Sequence, residues 1–292
     1  PLPGAPVDTL AAPPWSARPV QPALLPPYEK PEKSGVRILV PVKHAGKLGD
    51  EFSFAEDGRS ILPQFVEYQL NEWDDTALEQ AFKTVEALGG GEVVVVTVGP
   101  EEAEDTLRKA LAKGAQRAVR VWDKSLAQAD PIVIARMLAG VALQEQPDLI
   151  MAGAQSADLA NGATGPAMAR MLGLPCAALI VATQWDGGNV ITVTRELEGG
   201  LQHKVRMPAP ALITMQTGAN APRYATMRMV KQARDKPLAR VEAGAEASAY
   251  QAACTSKMVV PPATRAQMLE GSPLQVAQAI IKIVREKTGA SE

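Results

Sequence analysis

Residues 92–98 read EVVVVTV, and Gly99-Pro100-Glu101-Glu102 follow them directly. A run dominated by valine predicts a strand that is buried on both faces of a sheet. The two glutamates lie just after a proline, where a helix dipole favours negative charge, so a helix is predicted from here to Lys113. A buried strand that leads into a helix is the repeating unit of a parallel sheet covered by helices.

The same alternation extends to both sides of this unit. Further strands are predicted at Val36–Val42, Ala118–Val121, Asp148–Met151 and Ala211–Met215, and further helices at Asp74–Leu88, Pro131–Gln144 and Gly165–Gly173. Asn189–Leu197 and Leu201–Arg206 flank Glu198-Gly199-Gly200 and therefore predict an antiparallel hairpin. The predicted fold class is α/β: a Rossmann-like parallel sheet with helices on both faces, plus one antiparallel hairpin.

Three segments of different character divide the chain. Residues 1–35 contain 10 of the 24 prolines and cannot build a helix or a sheet ladder. This extension is interpreted either as a disordered tail or as an arm that lies along a partner, with four large side chains as its anchors: Trp15, Leu24, Leu25 and Tyr28. Residues 36–235 hold the α/β domain. Residues 236–292 are predicted as an extended C-terminal arm that ends in the amphipathic helix Gln275–Lys287.

The composition excludes several kinds of chemistry. The chain has 292 residues, a net charge of −2, 4% aromatic residues, 2 histidines and 2 cysteines. These are too few for a structural zinc cluster or a disulfide framework, and they leave few bases for a serine or cysteine nucleophile. The balanced charge argues against a nucleic-acid-binding surface spread over the whole protein, though not against a local basic patch. No apolar run reaches the about 18 residues of a membrane span and no signal peptide is visible, so a cytoplasmic protein without membrane insertion is expected.

The loop after the strand Asp148–Met151 is the best candidate for a ligand site, because ligands of open parallel sheets bind beyond the carboxyl ends of the strands. Residues 153–165 read GAQSADLANGATG and lead into a helix, so backbone amides and a helix N-terminus favour an anion such as phosphate. A plain connecting loop of small residues is the alternative. The chain has no GxGxxG after its first strand and no P-loop motif, which disfavours dinucleotide dehydrogenases and excludes P-loop NTPases.

Two residues near the start of the first predicted helix each allow two interpretations. Asn71 is either a cap of that helix or a contact to a nucleotide. Trp73 is either a core residue or a ring that packs on a planar cofactor.

Six stretches, in order, resemble the beta subunit of electron transfer flavoproteins. They are Arg37–Lys43 (RILVPVK), Asn71–Asp75 (NEWDD) with Ala77–Glu79 (ALE), Val98–Pro100 (VGP) with Leu107–Ala115 (LRKALAKGA), Gly153–Pro166, Arg195–Gly200 (RELEGG) and Ala221–Met227 (APRYATM). The tail motif Pro261-Pro262-x-x-Arg265 also fits. The resemblance covers residues 36–287, whereas the proline-rich residues 1–35 have no counterpart in the family pattern.

The resemblance implies an electron carrier rather than an enzyme. Members of the family are heterodimers in which one FAD lies near the subunit boundary and is held mainly by the alpha subunit. Electrons arrive from donor dehydrogenases and leave to a membrane quinone oxidoreductase or a similar acceptor. The beta subunit has an adenine nucleotide hydrolase-like fold and buries an AMP in many members, and the C-terminal arm is expected to pack on the alpha subunit.

The resemblance also assigns roles to individual residues. A nucleotide would contact a set of nine: Pro41, Asn71, Val98, Gly153, Gln155, Ser156, Gly162, Ala163 and Thr164. Trp73 would approach the flavin. Met227, in a loop, would anchor a donor dehydrogenase, and its neighbours Arg223, Tyr224 and Arg228 would share that docking surface.

One departure from the family pattern lies in residues 153–165, which we call the nucleotide loop. Ala160 and Ala163 replace an acid and a glutamine, which removes side-chain contacts and leaves open whether AMP, the second FAD that some members of the family carry instead, or nothing occupies the site. The alternatives to a carrier are a stand-alone adenine-nucleotide-binding enzyme and a nucleotide-sensing module on the same fold.

Overall fold

The computed structural model describes residue 28 and residues 35–243, 251, 253–261 and 268–289. The predicted anchors Trp15, Leu24 and Leu25 lie outside the described residues, as do Pro262 and Arg265 of the tail motif. The described part holds eleven strands and six α-helices, which are numbered in chain order.

Nine strands form the main sheet, in the order β11-β5-β4-β1-β6-β10-β7-β8-β9. They are β1 (Arg37–Pro41), β4 (Glu92–Val98), β5 (Arg117–Trp122), β6 (Leu149–Gly153), β7 (Cys176–Gln184), β8 (Val190–Glu196), β9 (Gln202–Pro208), β10 (Ala211–Met215) and β11 (Leu238–Glu242). The strands from β11 to β7 in this order are parallel, and β8 and β9 are added as an antiparallel hairpin. Two further strands, β2 (His44–Leu48) and β3 (Val66–Leu70), pair with each other in a separate antiparallel sheet.

Helices cover both faces of the main sheet, so the predicted α/β class is confirmed. They are α1 (Glu72–Ala87), α2 (Glu104–Lys113), α3 (Pro131–Glu145), α4 (Thr164–Leu172), α5 (Met227–Ala233) and α6 (Pro273–Thr288). α1 and α2 pack on one core cluster, and α3 and α4 pack on the other. Side chains of β1 alternate between the two, since Ile38 and Val40 belong to the first cluster and Leu39 to the second. No helix of the described residues is long and apolar enough to cross a membrane.

The sheet continues past residue 235, where the sequence predicted the end of the α/β domain. β11 pairs in parallel with β5, from Leu238 opposite Ala118 to Glu242 opposite Trp122. Its sequence LARVE does not have the apolar run of a central strand, because β11 is an edge strand whose Arg240 forms an ion pair with Glu104. The strands β2, β3 and β7 were likewise not predicted from the sequence.

The residue Met227 lies in a helix rather than in a loop. It is the first residue of α5, and the Thr226 hydroxyl caps that helix by accepting from the Met229 amide at 3.3 Å. Seven residues are too few to show helical periodicity, so the sequence reveals this helix only through its capping threonine.

The strand order places a topological switch point between β1 and β6. From β1 the chain moves outward through β4 and β5, and it then returns to place β6 on the other side of β1. The connections that leave β1 and β6 diverge, which opens a crevice at the carboxyl ends of these two strands. This crevice is the place where a ligand site is expected in such a sheet.

Tyr28, which belongs to the proline-rich extension, packs against the domain. Its ring contacts the second core cluster, and its hydroxyl donates a hydrogen bond to the carbonyl of Pro147. Burial of the phenol, together with the charge of Asp148, raises the pKa of Tyr28 above its usual value. This contact is made within the chain itself, so it tests neither the disordered-tail interpretation nor the interpretation as an arm along a partner.

Removing the Tyr28 contacts should destabilise the domain in two steps. Tyr28→Phe keeps the ring and loses the hydroxyl, at a cost of about 1 kcal/mol in the free energy of unfolding. Tyr28→Ala also loses the ring packing, for a total of about 2–3 kcal/mol. Urea denaturation of the full chain measures both values. Equal stability of wild type and Tyr28→Ala would contradict an anchoring role.

Candidate functional site

A cavity of about 300 Å³ lies in the crevice at the carboxyl ends of β1, β4 and β6. It brings together all nine residues that the resemblance assigns to nucleotide contact: Pro41, Asn71, Val98, Gly153, Gln155, Ser156, Gly162, Ala163 and Thr164. Trp73 is the one predicted cofactor residue outside the lining. No cluster of His, Cys, Asp and Glu suited to a metal ion exists among the described residues.

The lining of this cavity contains two kinds of residue. One group is apolar: Val98, Pro131, Ile134, Leu138 and Met168. The other belongs to the loop that follows β6 and to the first residues of α4. Apolar side chains together with a helix N-terminus suit a ligand that carries both a flat ring and an anion.

The start of α4 supplies the anion side of the cavity. The residue at its N-cap is Ala163, which has no side-chain oxygen to accept from the first-turn amides, and no acid lies in that turn. The helix can start this close to the sheet because position 165 is glycine: a Cβ there would lie 2.6 Å from Cγ2 of Thr214 in β10. The first-turn amides of α4 therefore have no side-chain cap, and Thr164 and Gly165 of that turn line the cavity, where an anion could accept from them.

Asn71, at the start of α1, makes two hydrogen bonds to the nucleotide loop. It occupies the N-cap position of α1, but its side chain makes no capping bond. Instead its amide group donates to the carbonyl of Gln155 at 2.8 Å and accepts from the backbone N–H of Ala157 at 3.1 Å. The side chain is only 1% exposed, so these loop contacts replace the helix-capping role that the sequence offered as one interpretation.

Asp158 links the same loop to the residues that directly follow β1. Its carboxylate lies 2.6 Å from Nζ of Lys43 and accepts from the backbone N–H of Gly46 at 3.2 Å. Nζ of Lys43 also lies 3.3 Å from the hydroxyl of Ser156. The lysine neutralises the one acid of the loop, so a negative ligand at the cavity does not meet an unpaired carboxylate.

Asp74 is a functional candidate that the sequence reasoning missed. Its two carboxylate oxygens accept from the backbone N–H groups of Lys43 at 2.7 Å and of Gly153 at 3.0 Å, which joins the ends of β1 and β6 under the cavity. Burial raises the pKa of Asp74 to about 7, although hydrogen bonds from Lys43, Asn71 and Gly153 act in the opposite direction. The spacing Asn71-x-x-Asp74, which resembles a capping box, was the sequence signal that could have identified it.

The buried Asp74 predicts a stability that depends on pH. Its pKa in the folded state is about 7 and its usual value is 3.8, so between these values the folded protein binds the extra proton. The free energy of unfolding should therefore fall as the pH rises from about 4 to about 7, and level off above that. The substitution Asp74→Asn replaces the carboxyl with an amide that cannot titrate, so this decline should flatten. Urea titrations across that range measure both slopes, and equal slopes would contradict the assignment.

Trp73 does not line the cavity, although its neighbour Asp74 does. It is half-buried, and its indole N–H donates to the side chain of Gln216 at 3.4 Å. Gln216 begins the segment that leads to the predicted docking residues. Trp73 is thus neither a core residue nor a wall of the cavity, but a partly open ring at the edge of the sheet.

The four predicted docking residues lie together before and at the start of α5, but they do not share one orientation. Tyr224 is 92% exposed, Met227 is 75% exposed, and Arg228 is exposed as well. Arg223 instead turns toward α1, where its guanidinium bonds to Glu79 and Glu86. The exposed apolar side chains are therefore Tyr224 and Met227.

Comparison with known proteins identifies the family of the chain. The family model of the electron transfer flavoprotein domain matches residues 60–246. The electron transfer flavoprotein subunit beta of Methylophilus methylotrophus is 43% identical over 264 residues, which span 87% of this chain and 100% of that protein. The corresponding subunits of Arabidopsis thaliana (mitochondrial) and Bacillus subtilis are 35% and 31% identical, over 70% and 76% of this chain and 81% and 88% of their own lengths. The chain belongs to the electron transfer flavoprotein family, among its beta subunits.

Proposed function

We propose that this chain forms a heterodimer with an electron transfer flavoprotein alpha subunit and carries electrons from donor dehydrogenases to a membrane quinone oxidoreductase or a similar acceptor. The observation that carries the proposal is the similarity to named beta subunits along most of the chain, including 100% of the Methylophilus protein. The redox chemistry belongs to an FAD held mainly by the alpha subunit. This chain acts as a carrier subunit and not as an enzyme, and it binds no nucleic acid.

The proposed part of this chain in flavin binding is to form one wall of the pocket. Trp73 supports this role, because it is a partly open ring fixed by a hydrogen bond rather than sealed in the core. A half-buried aromatic ring can pack on a planar cofactor without closing the site.

The proposed ligand of the cavity within this chain is AMP. The volume of about 300 Å³ lies at the lower end of ligand sites, which suits a mononucleotide better than a dinucleotide. Its adenine would lie against Val98, Ile134 and Leu138, and its phosphate would accept from the amides at Gly162–Thr164. The alanines at positions 160 and 163 remove side-chain contacts but no backbone N–H group, so the anion site rests on the backbone.

The proposed contact to the alpha subunit is the part of the predicted C-terminal arm, residues 236–292, that follows β11. Helix α6 supports this role because its large apolar side chains are exposed in the isolated chain: Leu274, Ile280, Ile281 and Val284. An amphipathic helix with an open apolar face is typical of a helix that packs on another protein.

The proposed docking surface for the donor consists of Tyr224 and Met227, beside exposed basic residues of α5. Arg228, Lys231 and Arg234 lie on and after this helix and would steer an acidic partner. The cytoplasm is the proposed compartment. Two free, exposed cysteines, Cys176 and Cys254, are consistent with a reducing environment.

Co-expression with the alpha subunit tests the proposal directly. The purified heterodimer should be yellow, with the absorbance of one bound FAD, and mass spectrometry of the denatured protein should find AMP beside FAD. A stable complex without flavin absorbance would contradict the carrier proposal. A yellow complex without AMP would leave the carrier intact and overturn the proposed ligand of the cavity.

A further inference from the structure

The segment Gln216–Thr226 joins β10 to α5 without regular secondary structure, yet it is held along helix α1. The side-chain amide of Asn220 donates to the carbonyl of Thr76 in α1 at 3.1 Å. Two alanines of the segment, Ala219 and Ala225, pack against the core cluster that α1 covers. The connection to the exposed docking residues is therefore an ordered part of the fold.

Arg223 makes the most extensive contact between this segment and α1. Its backbone N–H and its Nε donate to Oε2 of Glu79 at 3.0 and 2.8 Å, and Nη2 donates to Oε1 at 3.1 Å. Nη1 and Nη2 also donate to the carboxylate of Glu86 at 2.7 and 3.1 Å. The guanidinium carbon lies 4.9 Å from the ring centre of Phe82. The three α1 residues lie on one helix face because they are spaced three and four residues apart.

These contacts engage all three guanidinium nitrogens of Arg223. The side chain of Glu79 is only 5% exposed, so loss of this partner would leave a buried carboxylate without its ion pair. The hydrogen bond from Arg223 also holds the pKa of Glu86 below its usual value, so the ion pair persists to a lower pH than it would with an unperturbed glutamate. A guanidinium occupied in this way is not available to a protein that approaches from outside.

Two of the residues that follow Arg223 are instead open to solvent. Tyr224 follows Arg223 directly and is 92% exposed, and Met227 is 75% exposed at the start of α5. We propose that Arg223 is a positioning residue, which locks the segment onto α1 through Glu79 and Glu86 and so presents Tyr224 and Met227 to the donor dehydrogenase. This inference rests on the proposed function for the identity of the partner, but the locking of the segment is a property of this chain alone.

The physical basis of the inference is preorganisation. A loop that must become ordered upon docking loses conformational entropy at that moment, and the loss weakens binding. A segment already held by a bidentate arginine avoids this loss. Substitution of Arg223 should therefore weaken docking without changing electron transfer within the docked complex.

The experiment uses the full chain co-expressed with its alpha subunit, as wild type and as the variants Arg223→Gln, Arg223→Lys and Glu86→Gln. A dehydrogenase that reduces the wild-type heterodimer gives KM and kcat, and dithionite reduction with flavin absorbance verifies the cofactor content. Hydrogen exchange read by mass spectrometry gives the amide protection of residues 220–230. Glu86→Gln is the milder variant, because that carboxylate is largely exposed and its loss leaves the Glu79 contact in place.

Arg223→Gln is expected to raise KM about 10-fold or more, to leave kcat within about 2-fold, and to speed exchange in residues 220–230 about 10-fold. Arg223→Lys should fall between this variant and wild type, because an ammonium group cannot bond two carboxylates in fork geometry. Glu86→Gln should raise KM about 3-fold, and it provides the comparison if Arg223→Gln does not fold.

Two results would overturn the inference. One is an unchanged KM in Arg223→Gln, or in Glu86→Gln if only that variant folds. The other is a raised KM with wild-type exchange rates, which would mean that Arg223 contacts the donor itself. A wild-type heterodimer that lacks flavin would instead contradict the proposed function, while the exchange measurement would still test the locking of the segment.

Discussion

Gly153→Ala is expected to lower the free energy of unfolding by about 3 kcal/mol or more and to abolish nucleotide binding in the cavity. A Cβ at this position would overlap Oδ1 of Asp74, and it would lie 2.7 Å from Cβ of Trp73 and 2.8 Å from the backbone nitrogen of Asp74. Cβ of Trp73 and the nitrogen of Asp74 belong to the start of α1, and the Asp74 carboxylate is fixed by hydrogen bonds from Lys43 and Gly153, so none of these atoms can move aside cheaply. The displacement would also break the hydrogen bond from the Gly153 N–H to Asp74, which is buried.

Urea denaturation measures the first effect, and mass spectrometry of released ligand measures the second. Gly140→Ala is the matched control, since Gly140 lies inside α3 and a Cβ there would meet no atom within 4 Å. Alanine is the better helix former, so this control should raise the free energy of unfolding by about 0.5–1 kcal/mol. Similar effects of the two substitutions would contradict the view that Gly153 is fixed by its close neighbours.

The parallel core of the fold could be predicted because its signals are local. The run EVVVVTV is buried in the middle of the sheet as β4, and Asp130 caps α3 with hydrogen bonds to the amides of Ile132 and Val133 at 2.9 Å. Each of these features depends on residues adjacent in sequence. β11 could not be predicted in this way, because an edge strand gains its place from its pairing with β5 and not from its own apolar pattern.

The residues of the cavity could be predicted only in part from physical patterns. The glycine-rich loop before a helix indicated an anion site, and the resemblance added residues such as Pro41 and Val98, which carry no chemical signal of their own. What the sequence could not reveal is the set of contacts between distant residues. Asp74 binds the ends of two strands that lie 110 positions apart in the chain, at Lys43 and Gly153 (153 − 43 = 110), and no local pattern encodes that pairing.

Arg223 illustrates the same limit at the docking surface. Its place beside Tyr224 and Met227 suggested a shared role in contacting a partner. The structure separates them, since the partners of Arg223 lie 137 and 144 positions away on α1. The sequence around a charged residue beside an exposed tyrosine does not show whether that charge pairs within the chain or contacts another protein.

Met227→Ala is expected to raise the KM for a donor dehydrogenase about 30-fold, with kcat and the free energy of unfolding nearly unchanged. The estimate follows from the about 2 kcal/mol that a central apolar anchor contributes to an interface, which corresponds to that factor in affinity. Stability should not change, because the side chain is 75% exposed and leaves no cavity in the core when it is shortened. Steady-state reduction of the co-expressed heterodimer by a dehydrogenase that reduces the wild type measures KM and kcat, and urea denaturation measures stability.

Two substitutions separate a docking role from a general effect of losing an exposed methionine. Met268→Ala removes a side chain that is 82% exposed but lies far from α5 in the sequence, so it should leave KM for the donor at the wild-type value. Met227→Leu keeps an apolar anchor of similar volume and should retain most of the affinity, since such exchanges are well tolerated at apolar contacts. An equal rise of KM in Met227→Ala and Met268→Ala would show that the donor does not dock at the start of α5. A large rise in Met227→Leu as well would point to the flexible thioether itself as the feature the donor requires.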